Sequence, residues 1–151
     1  MPQAPGDPNP TRPGLLRLDD VAASSTAEGS TILQDSVNTA NGIAGVAVFG
    51  ARGIILRRTA VTATTADEKG IGDGVFVGDL GGAPASVSIE AGTTLSSNAR
   101  VGLLVSGVSS AAVDGAVVTS NDRGGIWLQR GAGSQDPEGV SITNTAIADN
   151  G

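Results

Sequence analysis

The sequence predicts an all-β chain, a right-handed parallel β-helix of about four to five coils, each carrying three short strands. Three observations lead there. Short apolar pairs recur behind a glycine at Gly45, Gly74, Gly102 and Gly125, with spacings of 29, 28 and 23 residues. Within each pair the apolar positions alternate at period two, the signature of a strand rather than a helix. The hydrophobic residues are almost wholly aliphatic, with aromatics at only 2% of the chain. Uniform side chains of medium size suit layers that stack on one another, whereas a sandwich or α/β core is usually anchored on large rings.

Taken in order, residues 1–14 hold five of the seven prolines and read as a disordered leader. Residues 15–29, with Leu16 and Leu18 alternating, read as a partial first coil or an N-terminal cap. From residue 30 to 151 the repeat takes over. A loose first copy places Ile32, Val37 and Ala40 ahead of Gly45. The first strands then read Val46-Ala47-Val48, Val75-Phe76-Val77, Leu103-Leu104-Val105 and Ile126-Trp127-Leu128. The second set is Ile54/Leu56, Val87/Ile89, Ala111/Val113 and Val140/Ile142. Single apolar residues follow at Val61, Leu95, Val118 and Ile147, and three residues beyond them stand Thr64, Asn98, Asn121 and Asn150.

Successive coils of such a stack lie about 4.8 Å apart, so equivalent residues form aliphatic ladders and every strand finds hydrogen-bond partners above and below. Asn enters the left-handed region more readily than other non-glycine residues, which predicts a sharp bend at Asn98, Asn121 and Asn150. Stacked Asn amides can also bond along the axis. The alanine-rich stretch Val108–Val118 has some helical propensity, but its glycine and β-branched content at period two favours strand. The sequence reaches Asp149-Asn150-Gly151 at the bend of a coil. That predicts truncation of a longer stack, or self-association through an uncapped C-terminal coil.

Composition narrows the function classes. Nine Lys and Arg against fifteen Asp and Glu give a net charge of −6, and the basic residues are scattered apart from Arg57-Arg58. Nucleic acid is therefore not an expected partner. No run of roughly 18 apolar residues is present to span a membrane, and no signal peptide is visible at the N-terminus. The absence of cysteine excludes disulfides and thiolate metal sites, and the absence of histidine removes the commonest general base.

Phrases such as Val87-Ser88-Ile89 leading to Leu95-Ser96-Ser97-Asn98 and Gly102-Leu103-Leu104-Val105 resemble the parallel β-helix repeats of the pectate lyase-like superfamily. Gly139-Val140-Ser141-Ile142-Thr143-Asn144-Thr145-Ala146-Ile147-Ala148-Asp149-Asn150 is similar. The resemblance covers about 120 residues and implies the fold more strongly than an activity, because function sits in sites grafted onto folds. It also implies an extracellular or cell-surface location and a polysaccharide as possible partner.

The candidates for chemistry are few. Gly72-Asp73-Gly74 echoes the acidic strand-opening motif of the polygalacturonase-like members, yet Phe76 stands where a second acid would be expected. Asp73 reads as a turn residue before a strand. Asp73 and Asp79 are retained as weak acidic candidates; Asp67 and Glu68, beside Lys69, show no calcium-ligand spacing. Arg57, Glu90 and Asp114 fall in one column after the second strand and predict a structural charge ladder. Phe76 and Trp127 share the outward register two coils apart, roughly 10 Å, and form the best candidate ligand-contact face. The threonines at 59, 62, 64 and 65 do not recur as a flat array.

No catalytic residue, cofactor or metal is assigned. The function predicted is a non-catalytic β-helix segment of an exported or surface protein, serving as scaffold or carbohydrate-contact module. The alternative is a fragment of a polysaccharide lyase or glycoside hydrolase acting on pectin-like polymers.

Overall fold

The computed structural model describes residues 31–131, 133 and 135–151, together with the short strand Leu16–Arg17. The expected leader, and all of the 15–29 segment apart from that strand, lie outside the described residues. Among the described residues the chain is all strand with no helix, arranged as three five-stranded sheets.

Sheet A contains β1 (Leu16–Arg17), β4 (Ile43–Phe49), β7 (Gly72–Gly78), β10 (Val101–Ser106) and β13 (Gly124–Gln129). Sheet B contains β2 (Thr31–Gln34), β5 (Ile54–Arg57), β8 (Ser86–Ile89), β11 (Ser110–Asp114) and β14 (Gly139–Thr143). Sheet C contains β3 (Val37–Thr39), β6 (Ala60–Thr62), β9 (Thr94–Ser96), β12 (Val117–Thr119) and β15 (Ala146–Ala148). The chain visits B, C and A in turn, so each strand pairs in parallel with the equivalent strands before and after it. This is a β-solenoid-like architecture.

The aliphatic ladders run as the sequence spacing requires. Val46, Val75, Leu103 and Ile126 are register partners in sheet A. Ile54, Val87, Ala111 and Val140 are partners in sheet B, as are Val61, Leu95, Val118 and Ile147 in sheet C. These columns, with the neighbouring inward column of Leu56, Ile89 and Val113, form one core in which Val75, Ile89, Leu95, Leu103 and Val113 are wholly buried. Along β13 to β15 the inward-facing columns come to the surface, with Leu128, Ile142 and Ile147 each about half exposed.

The loose first copy is shifted by one residue. Leu33, not Ile32, aligns with Leu56 and packs against the core, while Ile32 is 49% exposed. Asn38, not Val37, aligns with Val61, and Val37 is 75% exposed. A one-residue slip in a strand exchanges its two faces, so an apolar residue beside the true core position misleads when a polar residue fills that position.

The bends also differ from expectation. At the turn from sheet C to sheet A the left-handed residue is the one before the column position: Ala40, Ser97, Ser120 and Asp149 before an Asn, and Ala63 before Thr64, all with φ between 53° and 56°. The Asn side chain instead turns inward and bonds to the coils on either side. Asn98 Nδ2 donates to the Val61 carbonyl and, at 2.8 Å, to Asn121 Oδ1. Asn121 Nδ2 donates to the Leu95 carbonyl and to Asn150 Oδ1, also at 2.8 Å. The amides thus bond along the axis, as the sequence led us to expect.

The glycines of sheet A and these amides are one device. A methyl group on Gly74 would lie 2.6 Å from the Gly102 carbonyl oxygen and 2.7 Å from Asn98 Nδ2. On Gly102 it would meet Val118 at 2.6 Å and Asn121 Nδ2 at 3.0 Å. Each glycine is therefore required for close approach and not for its φ, since it vacates the space that the amide of the following coil occupies. A parallel column runs along the turn from sheet B to sheet C. There the hydroxyls of Thr59, Thr93 and Thr145 donate to the carbonyls of Leu33, Leu56 and Val113, each one coil back.

The Asn column is broken at one rung. The bridge Gly42↔Thr65 sets Asn41 against Thr64, and Thr64 Oγ1 and Asn41 Oδ1 are buried without hydrogen-bond partners. Thr64→Asn should restore the rung, accepting from Asn41 and donating to Asn98. A gain of about 1 kcal/mol, read as a raised denaturation midpoint, is the expected outcome. An unchanged or lowered midpoint would show that the site cannot hold the amide.

Candidate functional site

Asp73 is not a turn residue: it lies within β7 and is wholly buried. Its carboxylate accepts two hydrogen bonds from Arg100, Nε to Oδ1 at 2.7 Å and Nη2 to Oδ2 at 2.5 Å. The Arg100 guanidinium in turn stands 5.9 Å from the centre of the Trp127 ring. The three residues come from neighbouring coils and form a layered stack of carboxylate, guanidinium and indole. Both oxygens of Asp73 are thus engaged by its partner, and Arg100 is the residue the sequence reading missed. The register holds the signal, because Asp73 and Val101 are equivalent positions and Arg100 immediately precedes the latter.

Phe76 and Trp127 occupy one row of sheet A, each the register partner of Leu104 between them. They nevertheless form no continuous aromatic platform. The Trp127 indole lies over Gly124, back along its strand, and is 38% exposed. The Phe76 ring leans the other way, over Gly78, and meets Phe49 edge to face with centroids 5.0 Å apart at 82°. Glycine at 78 allows this, because a methyl group there would stand 3.3 Å from both rings. Leu104, in the outward register between the two rings, is only 1% exposed.

Beyond Phe76 the strand runs into a cleft of about 370 Å³, bounded by Phe49, Phe76, Asp79, Ser106 and Gln135, with glycines supplying much of the rest. The Asp79 side chain is half-buried and reaches across the next coils. Its Oδ1 fills the place that a side chain on Gly107 or Gly131 would take, and its Oδ2 accepts the Gly82 N–H at 3.3 Å. Gly81 and Gly82 both have positive φ and open space around them, so their backbone is accessible. A second depression, about 540 Å³ and shallower, follows the outer face of sheet B and is lined by Ile55, Ser88, Ala112, Ser141 and their neighbours, without a charged group.

Several other acids serve the framework. Asp67 Oδ1 accepts the N–H groups of Lys69 and Ile71 and closes its loop. Arg57 Nε donates to Glu90 at 2.6 Å, as the expected charge ladder requires, but Asp114 turns to the following coil. There it accepts from Asn144 Nδ2 and Thr143 Oγ1, which hold its carboxyl below the ordinary carboxylate value. Among the described residues no group of three acidic side chains is placed to hold a metal ion.

Asp35 accepts a bidentate pair from Arg58 at 2.6 and 2.8 Å, which with a bond from Gln34 lowers its pKa to about 2. A depressed carboxyl favours the folded state at neutral pH, and that contribution fades as pH falls from about 4 towards 2. NMR titration of the side-chain carboxyl should give a midpoint near 2, returning to the ordinary carboxylate range in Arg58→Ala. Equal midpoints in the two proteins would show that the pair does not persist in solution.

Fold and site together define a β-solenoid-like protein with polar columns at two of its bends and an aromatic-walled cleft on one face. No protein-family model, curated protein or solved structure matches the chain.

Proposed function

We propose that the chain is a non-catalytic segment of an exported or cell-surface protein, a rigid scaffold that contacts carbohydrate. In this reading the stack is right-handed, the hand that parallel crossovers within one sheet almost always take, and it belongs with the pectate lyase-like β-helices. The observation that carries the reading is the disposition of the two acidic candidates. Asp73 is buried in its pair with Arg100, and Asp79 lies six residues further along the chain. At about 3.3 Å per residue that separation is roughly 20 Å, whereas glycoside hydrolysis needs carboxyls about 5–9.5 Å apart. The aromatic side chains on the outer face of sheet A supply apolar contact of the kind sugar rings use.

Affinity electrophoresis against a panel of neutral and acidic polysaccharides should retard the protein in at least one gel. The same polymers should show no release of reducing or unsaturated ends. Release that is lost in Asp79→Asn or Asp73→Asn would overturn the non-catalytic reading, and no retardation by any polymer would overturn carbohydrate contact.

A further inference from the structure

We infer that the cleft between Phe76 and Asp79 is a subsite for a single uncharged sugar ring, one unit of a neutral glycan and not of a polyuronate. This inference rests on the carbohydrate-contact reading and refines it. A sugar ring offers two chemistries, an apolar face of C–H groups and an equatorial fringe of hydroxyls, and the cleft presents a partner for each. Phe49 and Phe76 form one wall, held in fixed edge-to-face geometry. The Asp79 carboxylate and the Ser106 hydroxyl provide acceptors, and Gln135 adds a residue able to donate and to accept. At about 370 Å³ the space falls near the lower end of the range for small-ligand sites, which suits one ring rather than a long chain segment.

The glycines make the site possible. Gly107 and Gly131 admit the Asp79 carboxylate where any side chain would collide with it, and Gly78 keeps the ring wall open. The positive-φ pair Gly81 and Gly82 brings bare backbone to the rim. Charge then selects the ligand class. Among the described residues no cationic side chain lines the cleft, and the nearby Arg130 guanidinium is bound to Asp136 at 2.9 Å. An anionic sugar would meet Asp79 without a compensating cation, on a chain whose net charge is already −6. A neutral sugar meets the Asp79 carboxylate as an acceptor, without that repulsion.

The test compares galactan, glucomannan and polygalacturonate as gel-embedded or titrated ligands, with wild type, Phe76→Leu, Asp79→Asn and Trp127→Ala. Thermal melts of each variant confirm that it folds. We expect a neutral polymer to bind more tightly than polygalacturonate. Phe76→Leu should weaken that binding roughly tenfold, a loss of about 1.4 kcal/mol, while Trp127→Ala leaves it within about twofold. Asp79→Asn should weaken neutral binding less than Phe76→Leu does and improve the relative affinity for polygalacturonate. Binding lost in Trp127→Ala but kept in Phe76→Leu would remove the cleft while leaving carbohydrate contact standing. Preference for polygalacturonate in the wild type would overturn the ligand class. Absence of binding to all three, with another polymer of the panel bound, would overturn this inference alone, and absence of binding throughout the panel would overturn both readings.

Discussion

Replacing Asn121 with alanine should cost the fold roughly 4 kcal/mol, more than any conservative change on its surface. The side chain is 1% exposed and takes part in four hydrogen bonds. It accepts from the backbone N–H of Asn98 at 3.2 Å and from Asn98 Nδ2 at 2.8 Å. It donates to the Leu95 carbonyl at 3.1 Å and to Asn150 Oδ1 at 2.8 Å. Truncation strands buried donors and an acceptor in a space too tight for the surrounding chain to rearrange, and each stranded group costs about 1–3 kcal/mol. Asn121→Leu should be no better, since it fills the volume but leaves the same groups unpaired. For a chain of this size the loss corresponds to a drop of roughly 10 °C in the thermal midpoint. Amide exchange should accelerate most at Asn98 and Asn121, because coils of a solenoid communicate chiefly with their neighbours. A change below about 1 kcal/mol would mean that water replaces the amide, and that the column does not hold the coils together.

That column shows how far the sequence could be read. Gly74, Asn98 and Leu95 could each be assigned to a column because a solenoid repeats its geometry, so that one register fixes all the others. The reading failed where the repeat is imperfect. At the first copy Asn38 occupies the core position and bonds to the Gly45 carbonyl at 2.6 Å, and Ile32 and Val37 beside the true positions drew the alignment aside by one residue. The bend was misplaced by one residue for a related reason. Asn has two reasons to stand at a turn, its tolerance of positive φ and its amide, and only the three-dimensional arrangement tells which is used. Here Ala40, Ser97 and Ser120 take the strained position ahead of Asn41, Asn98 and Asn121, so the Asn is there for its amide and not for its φ. For the candidate site, the row shared by Phe76 and Trp127 was legible from period two, but the direction each ring leans was not. That depends on which neighbour is glycine, Gly78 ahead of one and Gly124 behind the other.

The pair of Asp73 and Arg100 provides the sharpest test of whether the acidic residues are structural. Arg100→Leu leaves a carboxylate that is wholly buried in the native protein without its bidentate donor. Breaking a buried pair on one side costs about 3–5 kcal/mol, and the partial exposure of Arg100, 17% of its side chain, sets the expectation at roughly 3 kcal/mol. The loss of the cation over the Trp127 ring adds to it. Asp73→Leu alone should cost a comparable amount, because the guanidinium then loses the acid that neutralises it. The double variant Asp73→Leu/Arg100→Leu should recover most of either loss, since an apolar pair of suitable volume can replace a buried ion pair at little net cost. Chemical denaturation of the four proteins gives the coupling energy directly from the cycle. If the two single losses simply add, the residues act independently and Asp73 is available for another role. If they cancel in the double variant, the acid nearest in appearance to a catalytic one is a structural tie between two coils, and the outer face of sheet A is left to bind rather than to react.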